Sequence, residues 1–221
     1  MKAILPTLPQ SLFDQILIVD GGSTDGSVGW AKQQGFEVYE QKKVGLRHAY
    51  IEAWSLIRGD YVVTFSPDAN CKPDDLTPLV QKLREGYDMV IASRYLEGAR
   101  SYDDGPITAL GNRLFTRLIN TFHGGHYSDA MTLFRGYRTS LFTELGLHLE
   151  RSYWVERFFF TVVGIEPLLS IRAARAGKKI SEIPSDEPKR IYGERKLQIF
   201  RWGSAYLSQV LLEWVKPGRS A

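Results

Sequence analysis

Apolar residues follow two rhythms along this chain. Short, unbroken and largely β-branched runs alternate with longer stretches in which apolar residues recur every three or four positions. Ile16 to Val19, Tyr61 to Phe65 and the segment Asp88 to Arg94 are of the first kind, Phe36 to Glu40 adds a shorter one, and Ile180 to Pro184 is expected as a further strand. Uninterrupted apolar runs of this length read as strands buried on both faces, as parallel sheets require. The second rhythm is clearest at Leu46, Ala49, Tyr50, Ala53, Trp54 and Ile57, which place one apolar stripe on a helix from Gly45 to Arg58. Arg47 and His48 lie off that stripe and are expected on its solvated face. Helices are also expected from Gly26 to Gln34, Pro73 to Glu85, Ile107 to Phe122 and Leu197 to Lys216. Tyr153 to Ala176 reads as helical with a kink or restart at Pro167. Strands alternating with helices predict an α/β domain with a mainly parallel sheet flanked by helices.

The polar residues that interrupt this pattern fall at strand ends. The first strand runs into Asp20-Gly21-Gly22-Ser23-Thr24-Asp25, a tight turn in which Asp25 can cap the next helix. Open α/β sheets bind ligands beyond the carboxyl ends of their strands, so Asp20 and Asp25 face one crevice. Carboxylates suit a ribose hydroxyl or a base N–H and repel bare phosphate. Gly21 and Gly26 have P-loop spacing, but Ser27 stands where the phosphate-binding lysine belongs. The stretch can also be a plain strand-to-helix connection. At the end of the third strand, Asp68 and Asn70 are two positions apart and would share a side of an extended chain. Two oxygen ligands there suit Mg²⁺ or Mn²⁺ carried by a diphosphate; an unliganded turn is the alternative. Arg190 to Lys196 puts cations on a glycine-containing loop, which suits phosphate oxygens or merely a solvated basic turn. His123 and His126 are separated by glycines with no third ligand at a familiar spacing, which favours a loop over a metal site.

The stretch from Gln15 to Ser27 closely resembles the first motif of family 2 glycosyltransferases, which have a GT-A fold. The nearest branch is that of the dolichyl- and polyprenyl-phosphate sugar synthases, and the resemblance runs to about Leu197. It implies that Asp20, with Gly22 and Asp25, holds the nucleotide. Asp68-Ala69-Asn70 is similar to the family's Asp-x-Asp, with Asn70 in place of the second carboxylate and therefore a weaker hold on the cation. Arg94 resembles the arginine of Gly-Ser-Arg, and Glu182-Ile183-Pro184 the Glu-x-Pro segment. Arg190, Gly193 and Lys196 match Arg-x-x-Gly-x-Ser-Lys, with Arg195 replacing Ser. Asp129 matches the acceptor-side aspartate and is the expected base, with His123 and His126 nearby in sequence as the competing candidates; the apolar residues after Asp129 should exclude water and raise its basicity. Together these imply inverting transfer of a sugar from a nucleotide-diphosphate donor to a lipid-phosphate or glycan hydroxyl. Family members carry a strand, a Pro-x-x-Asn-Glu turn and a helix before the first motif. Here only 14 positions separate Pro6 from Asp20, so the amino end reads as truncated.

Composition narrows this reading little. At 221 residues, 43% hydrophobic and 24% charged, the chain is expected to form a single globular domain over 1–221. A net charge of +3 is too small to imply nucleic acid. The lone Cys71 excludes a disulfide framework and fits a reducing compartment. No signal peptide is evident, and apolar runs are too short to span a bilayer, which needs about 20 residues. The final helix, rich in aromatics with basic flanks, suits a membrane interface, a sheet edge or a homodimer partner equally. The expected location is the cytoplasm, at the inner membrane face if that helix docks there. Two rival functions remain: a nucleotide-sugar-binding protein that has lost catalysis, favoured by the short amino end and Asn70, and a nucleotidyltransferase, which would normally carry a basic Gly-rich loop.

Overall fold

The computed structural model describes residues 1–151, 153–190 and 199–215, with the backbone alone for 199–201. Strand β1 (Leu17–Asp20) runs through helix α1 (Ser27–Gln33) into β2 (Glu37–Glu40), which pairs with it in parallel. Helix α2 (Leu46–Ala53) continues into a 3-10 turn at Trp54–Leu56. There follow β3 (Tyr61–Thr64), α3 (Leu76–Arg84), β4 (Met89–Ser93), α4 (Pro106–His123), β5 (Arg135–Arg138) and α5 (Thr139–Glu144). The chain closes with α6 (Trp154–Phe159), α7 (Ile165–Arg175), β6 (Ile180–Pro184) and α8 (Ile199–Val215). A second sheet has the order β3-β5-β4-β6. In it β4 and β6 are parallel, and β5 runs antiparallel to both its neighbours. The α/β architecture expected from the apolar rhythm is present, with one antiparallel strand inserted at its centre.

That sheet is covered on both faces. Every residue of β4 is buried, and successive side chains alternate between two cores. Met89 and Ile91 join Tyr137, Phe142, Ile119 and Leu168 on the side of α4, α5 and α7. Val90 and Ala92 join Leu76, Leu79 and Leu83 of α3 on the other. Gly136 lies where β5 passes under α3, and a Cβ there would stand 2.6 Å from both Leu79 Cδ2 and Leu83 Cδ1. Glycine is required for closeness, since α3 can seat directly on the strand only if this position has no side chain.

Three expectations need correction. The Tyr153–Ala176 helix is broken not at Pro167 but between Phe160 and Gly164: Phe160 adopts the left-handed region (φ 49°) and ends α6. Pro167 sits in the first turn of α7, where its missing N–H leaves no helical bond unmade. Arg47 is buried rather than solvated, held by Glu156 Oε1 at 2.5 Å and by the Arg151 carbonyl at 3.0 Å. Strand β5 was not expected from its sequence, Arg-Gly-Tyr-Arg. Met1 to Phe13 contributes two 3-10 turns, Leu5–Thr7 and Gln10–Leu12, and no strand.

Gly136→Ala should therefore cost about 1–3 kcal/mol, the usual penalty for overpacking. Urea unfolding will measure it. Leu83→Val should recover part of the loss in the double variant, because the two sites share one contact. Strict additivity would place the strain elsewhere.

Candidate active site

The carboxyl ends of β1 and β3 lie at one edge of the molecule. At the opposite edge, Gln15 before β1 donates to the Leu56 carbonyl (3.0 Å) and accepts from Arg58 N–H (3.1 Å) before β3, so both strands start together. At the near edge the Met1 amine reaches the Pro67 carbonyl at 2.8 Å, and the next residue, Lys2, lies over the Trp30 ring of α1. The turns after β1 and β3 thus flank a common opening.

In the first turn, Asp20 is buried, and its Oδ2 accepts from the backbone N–H groups of Gly22 and Ser23, both at 2.8 Å. Gly22 has φ 98°, which a side chain would strain. Burial pushes the Asp20 carboxyl up, but the Ser23 and Gly22 hydrogen bonds outweigh it and hold the group below its usual range. Asp25 accepts from Ser27 N–H at 3.0 Å at the head of α1. One carboxylate thereby fixes the turn and the other caps the helix, and both stay ionised.

The turn after β3 departs from expectation. Ala69 is left-handed (φ 74°), so the chain is not extended and Asp68 and Asn70 do not share a face. Asp68 accepts from Ser66 Oγ at 2.8 Å and faces the Arg190 guanidinium at 3.7 Å. The Asn70 amide points its nitrogen at Glu187 Oε1, 3.4 Å away. Among the described residues no three His, Cys, Asp or Glu side chains converge as a metal cage. A cation that arrives on a diphosphate needs only one or two protein oxygens. The loosely paired Asp68 carboxylate and the Asn70 carbonyl fit that smaller demand.

Behind this turn lies a buried charge network. Arg94, just past β4, grips Asp129 through Nε (2.6 Å) and Nη2 (3.0 Å), and its Nη1 reaches Glu187 (3.3 Å) and Asp104 (3.4 Å). Arg190 is held by Asp103 at 2.7 Å. Asp129 is 0% exposed. Burial pushes its carboxyl up, but the Arg94 guanidinium and its hydrogen bonds outweigh that and hold it below the ordinary carboxylate range. The raised basicity expected at Asp129 is thus absent: the neighbours that exclude water come with an arginine that stabilises the anion. At Glu187 burial wins over Arg94 and the carboxyl is pushed up.

The Asp129 loop is itself clamped. Glu182 of β6 accepts from the N–H groups of Ser128 (2.9 Å) and Asp129 (3.1 Å). Thr116 of α4 accepts from Ala130 N–H at 3.1 Å. Arg135, 1% exposed, donates to the carbonyls of Thr132 (2.8 Å) and Ala130 (3.2 Å). Of the expected site residues, Asp68, Asn70, Arg94, Asp129 and Arg190 form one network, and Asp20, Gly22 and Asp25 are bonded within the separate turn after β1. Lys196 lies outside the described residues. Asp103 and Asp104 read only as part of a polar loop, and Glu187 is not singled out by the sequence, because their arginine partners lie far away in sequence or carry no spacing signal.

The family model for glycosyl transferase family 2 matches residues 2–146. Glycosyltransferase AglJ of Haloferax volcanii is 29% identical, over 78% of this chain and 54% of its own length. The undecaprenyl-phosphate mannosyltransferase of Micrococcus luteus is 27% identical over 86% of this chain and 82% of its own. The dolichyl-phosphate hexose transferase of Haloferax volcanii is 29% identical over 86% and 77%. The chain spans about half the length of the first of these, 54%. Among solved structures, the glucosyl-3-phosphoglycerate synthase of Mycobacterium tuberculosis with Mn²⁺, uridine diphosphate and phosphoglyceric acid superposes with a TM-score of 0.63 at 19% identity, covering 94% of this chain and 70% of that one. That likeness shows the fold, the GT-A arrangement expected from the sequence.

The depressed carboxyl of Asp129 has a consequence for stability. Its contribution is present above the unfolded carboxylate value of about 3.9 and is lost as pH falls through the folded value. Asp129→Asn should cost about 1.5–3 kcal/mol at pH 7, because it removes the charge from the hydrogen bonds of Arg94 Nε and Nη2 while Nη1 keeps Glu187 and Asp104. The gap between parent and variant in urea unfolding should narrow below about pH 4. A gap independent of pH would mean that shape, not charge, makes the residue important.

Proposed function

The chain belongs to glycosyl transferase family 2, and from that premise we propose that it transfers a sugar, with inversion, from a nucleotide-diphosphate sugar to a polyprenyl-phosphate or glycan hydroxyl. One observation carries the reading: the acidic turns of β1 and β3 flank one opening, with the Arg94–Asp129 network behind it. The likeness to an undecaprenyl-phosphate mannosyltransferase and a dolichyl-phosphate hexose transferase supports a polyprenyl-phosphate acceptor. The solved structure that holds Mn²⁺ and uridine diphosphate supports the donor class and a divalent cation.

In this reading Asp20, the Gly22 turn and Asp25 hold the nucleoside, since ionised carboxylates accept from hydroxyls and base N–H groups. Asp68 and Asn70 hold Mg²⁺ or Mn²⁺, which neutralises charge on the departing diphosphate. Arg190, with Lys196 from the same motif, faces phosphate oxygens. Asp129 takes the acceptor proton. As held by Arg94 it is a weak base, so its role requires phosphate to draw the guanidinium off it: the anion that binds Arg94 releases the base. A second reading, donor binding without turnover, draws support from the same buried pair and from Asn70. Donor binding by a protein that gives no product with candidate acceptors selects it.

A membrane contact extends the proposal. Among the described residues no helix is long and apolar enough to cross a membrane. One side of α8 is buried at Ala205 and Val210, while Leu207, Leu211 and Trp214 are exposed. Ile107, Leu110 and Leu114 are exposed on α4, which packs beside it. This apolar band suits the headgroup boundary of a bilayer, where a lipid-linked acceptor lies.

Two measurements test the reading. Uridine diphosphate at about 100 times its dissociation constant should raise the melting temperature by about 5–10 °C with Mn²⁺. The gain should shrink with chelator, and this Mn²⁺-dependent difference should vanish in Asp68→Ala and grow in Asn70→Asp; equal shifts with and without Mn²⁺ count against the cation site. In Asp129→Asn that retains native near-ultraviolet dichroism, turnover should fall by about 10²-fold while donor binding persists. Parent-like turnover would move the base elsewhere.

A further inference from the structure

Asp68 and Asn70 differ in what they can offer a cation. A carboxylate has two equivalent oxygens and ligates in either orientation. An amide ligates through its oxygen alone, so an asparagine turned the wrong way presents nitrogen and hydrogens to the metal. Asn70 therefore serves a cation only if something fixes the rotation of its amide. The loop after β6 supplies a group that does so. Glu187 Oε1 faces Asn70 Nδ2 at 3.4 Å, while its Oε2 accepts from Arg94 Nη1 (3.3 Å) and from the Ser101 hydroxyl. Beside the amide oxygen, the Cys71 thiol lies 3.6 Å from Asn70 Oδ1. A carboxylate only accepts and a thiol donates weakly, so the reversed amide would set oxygen against oxygen at Glu187. The Asn70 backbone N–H meets Asp68 Oδ1 at 3.4 Å, which ties the two residues of the turn to each other.

Glu187 is itself placed with little freedom. Its N–H donates to the Arg100 carbonyl at 2.9 Å and its carbonyl accepts from Tyr102 N–H at 2.8 Å, a short parallel bridge centred on Ser101. Pairing with Arg94 does not account for it, because Arg94 also holds Asp129 and Asp104 and uses only the Oε2 of Glu187. The Oε1 is left to Asn70. We propose that Glu187 is a positioning residue for the cation site: by accepting from Asn70 Nδ2 it keeps the Asn70 carbonyl oxygen, rather than the nitrogen, available to Mg²⁺ or Mn²⁺. Glu187 acts through Asn70 and needs no contact with the metal. Groups that orient a ligand in this way contribute about 10–100-fold to metal affinity. The inference rests on the cation site proposed above. It differs from a purely electrostatic role in its dependence on Asn70. A negative charge on Glu187 attracts a cation whatever residue stands at position 70, whereas orientation matters only to an amide.

The test is a double-mutant cycle on the full chain. Its readout is Mn²⁺ affinity in the presence of uridine diphosphate, measured from the electron paramagnetic resonance of free Mn²⁺. Glu187→Gln keeps the length of the side chain, but its amide can accept or donate and no longer selects one orientation of Asn70. It should weaken Mn²⁺ binding about tenfold. In the Asn70→Asp background the same substitution should leave the affinity unchanged or raise it, because a carboxylate ligates in either orientation and loses a like-charged neighbour. An equal loss in both backgrounds would make Glu187 a general source of negative charge or of loop structure and overturn the proposal. So would an unchanged affinity in Glu187→Gln alone. A parent protein that holds Mn²⁺ no more tightly than uridine diphosphate alone would overturn the cation site itself, and this inference with it. One measurement needs no variant: in the unliganded parent the side-chain amide protons of Asn70 should exchange with solvent at least about tenfold more slowly than those of free asparagine. Exchange at the free rate would mean that Glu187 does not hold the amide, and would overturn the proposal.

Discussion

The buried pair between Arg94 and Asp129 ties the end of the central strand to the loop that precedes β5. Arg94 follows directly on β4, the one strand buried at every residue, so its backbone has almost no freedom. Asp129 sits in a loop with no secondary structure of its own, and such a loop would be mobile if nothing held it. Glu182, Thr116 and Arg135 bond its backbone from three separate elements. An ion pair taken out of water is a weak source of net stability, because desolvation offsets most of the Coulomb gain. Its effect is on position: with both partners needing each other, the loop has one arrangement that leaves no charge stranded.

The same constraint explains what could be read from the sequence and what could not. Strands β1, β3 and β4 were legible because they carry consecutive apolar residues, which a loop rarely does, whereas β6, Ile-Ser-Glu-Ile-Pro, was legible through its resemblance to Glu-x-Pro. Strand β5 was not. Arg135 at its start is buried only because Thr132, Ala130 and Ser170 saturate its guanidinium, and Gly136 is there to let α3 approach. A strand whose residues are chosen for tertiary partners has no local signature. Arg47 was assigned to solvent for a similar reason. Helical periodicity placed it off the apolar stripe, and nothing local announces that Glu156, more than a hundred positions later, covers that side.

The site was legible by residue type and less so by geometry. Acidic residues at strand ends predicted where a ligand would lie, since topology alone fixes that edge of an α/β sheet. Spacing then misled at Asp68 and Asn70: period-2 reasoning holds for extended chain, and Ala69 is left-handed. A non-glycine residue there stores strain of about 1–2 kcal/mol. Strained backbone tends to persist where surrounding contacts over-determine it, and here Ser66 and Arg190 hold Asp68 while Glu187 holds Asn70.

The charge balance of the network argues for the kind of ligand it can accept. Among the described residues Asp68, Asp103, Asp104, Asp129 and Glu187 gather around only Arg94 and Arg190. With carboxylates in excess, a bare diphosphate entering this opening would meet net repulsion in a partly desolvated place, where charge interactions are least screened. The guanidiniums offset this only as far as phosphate draws them off the carboxylates that already hold them. A diphosphate bearing a divalent cation changes the sign of the encounter at Asp68, the carboxylate whose pairing is longest at 3.7 Å. Arg190 then loses its longer carboxylate contact and keeps the one to Asp103. In the proposed reading the excess of acid among the described residues around the two arginines disfavours phosphate alone and favours phosphate that arrives with a metal.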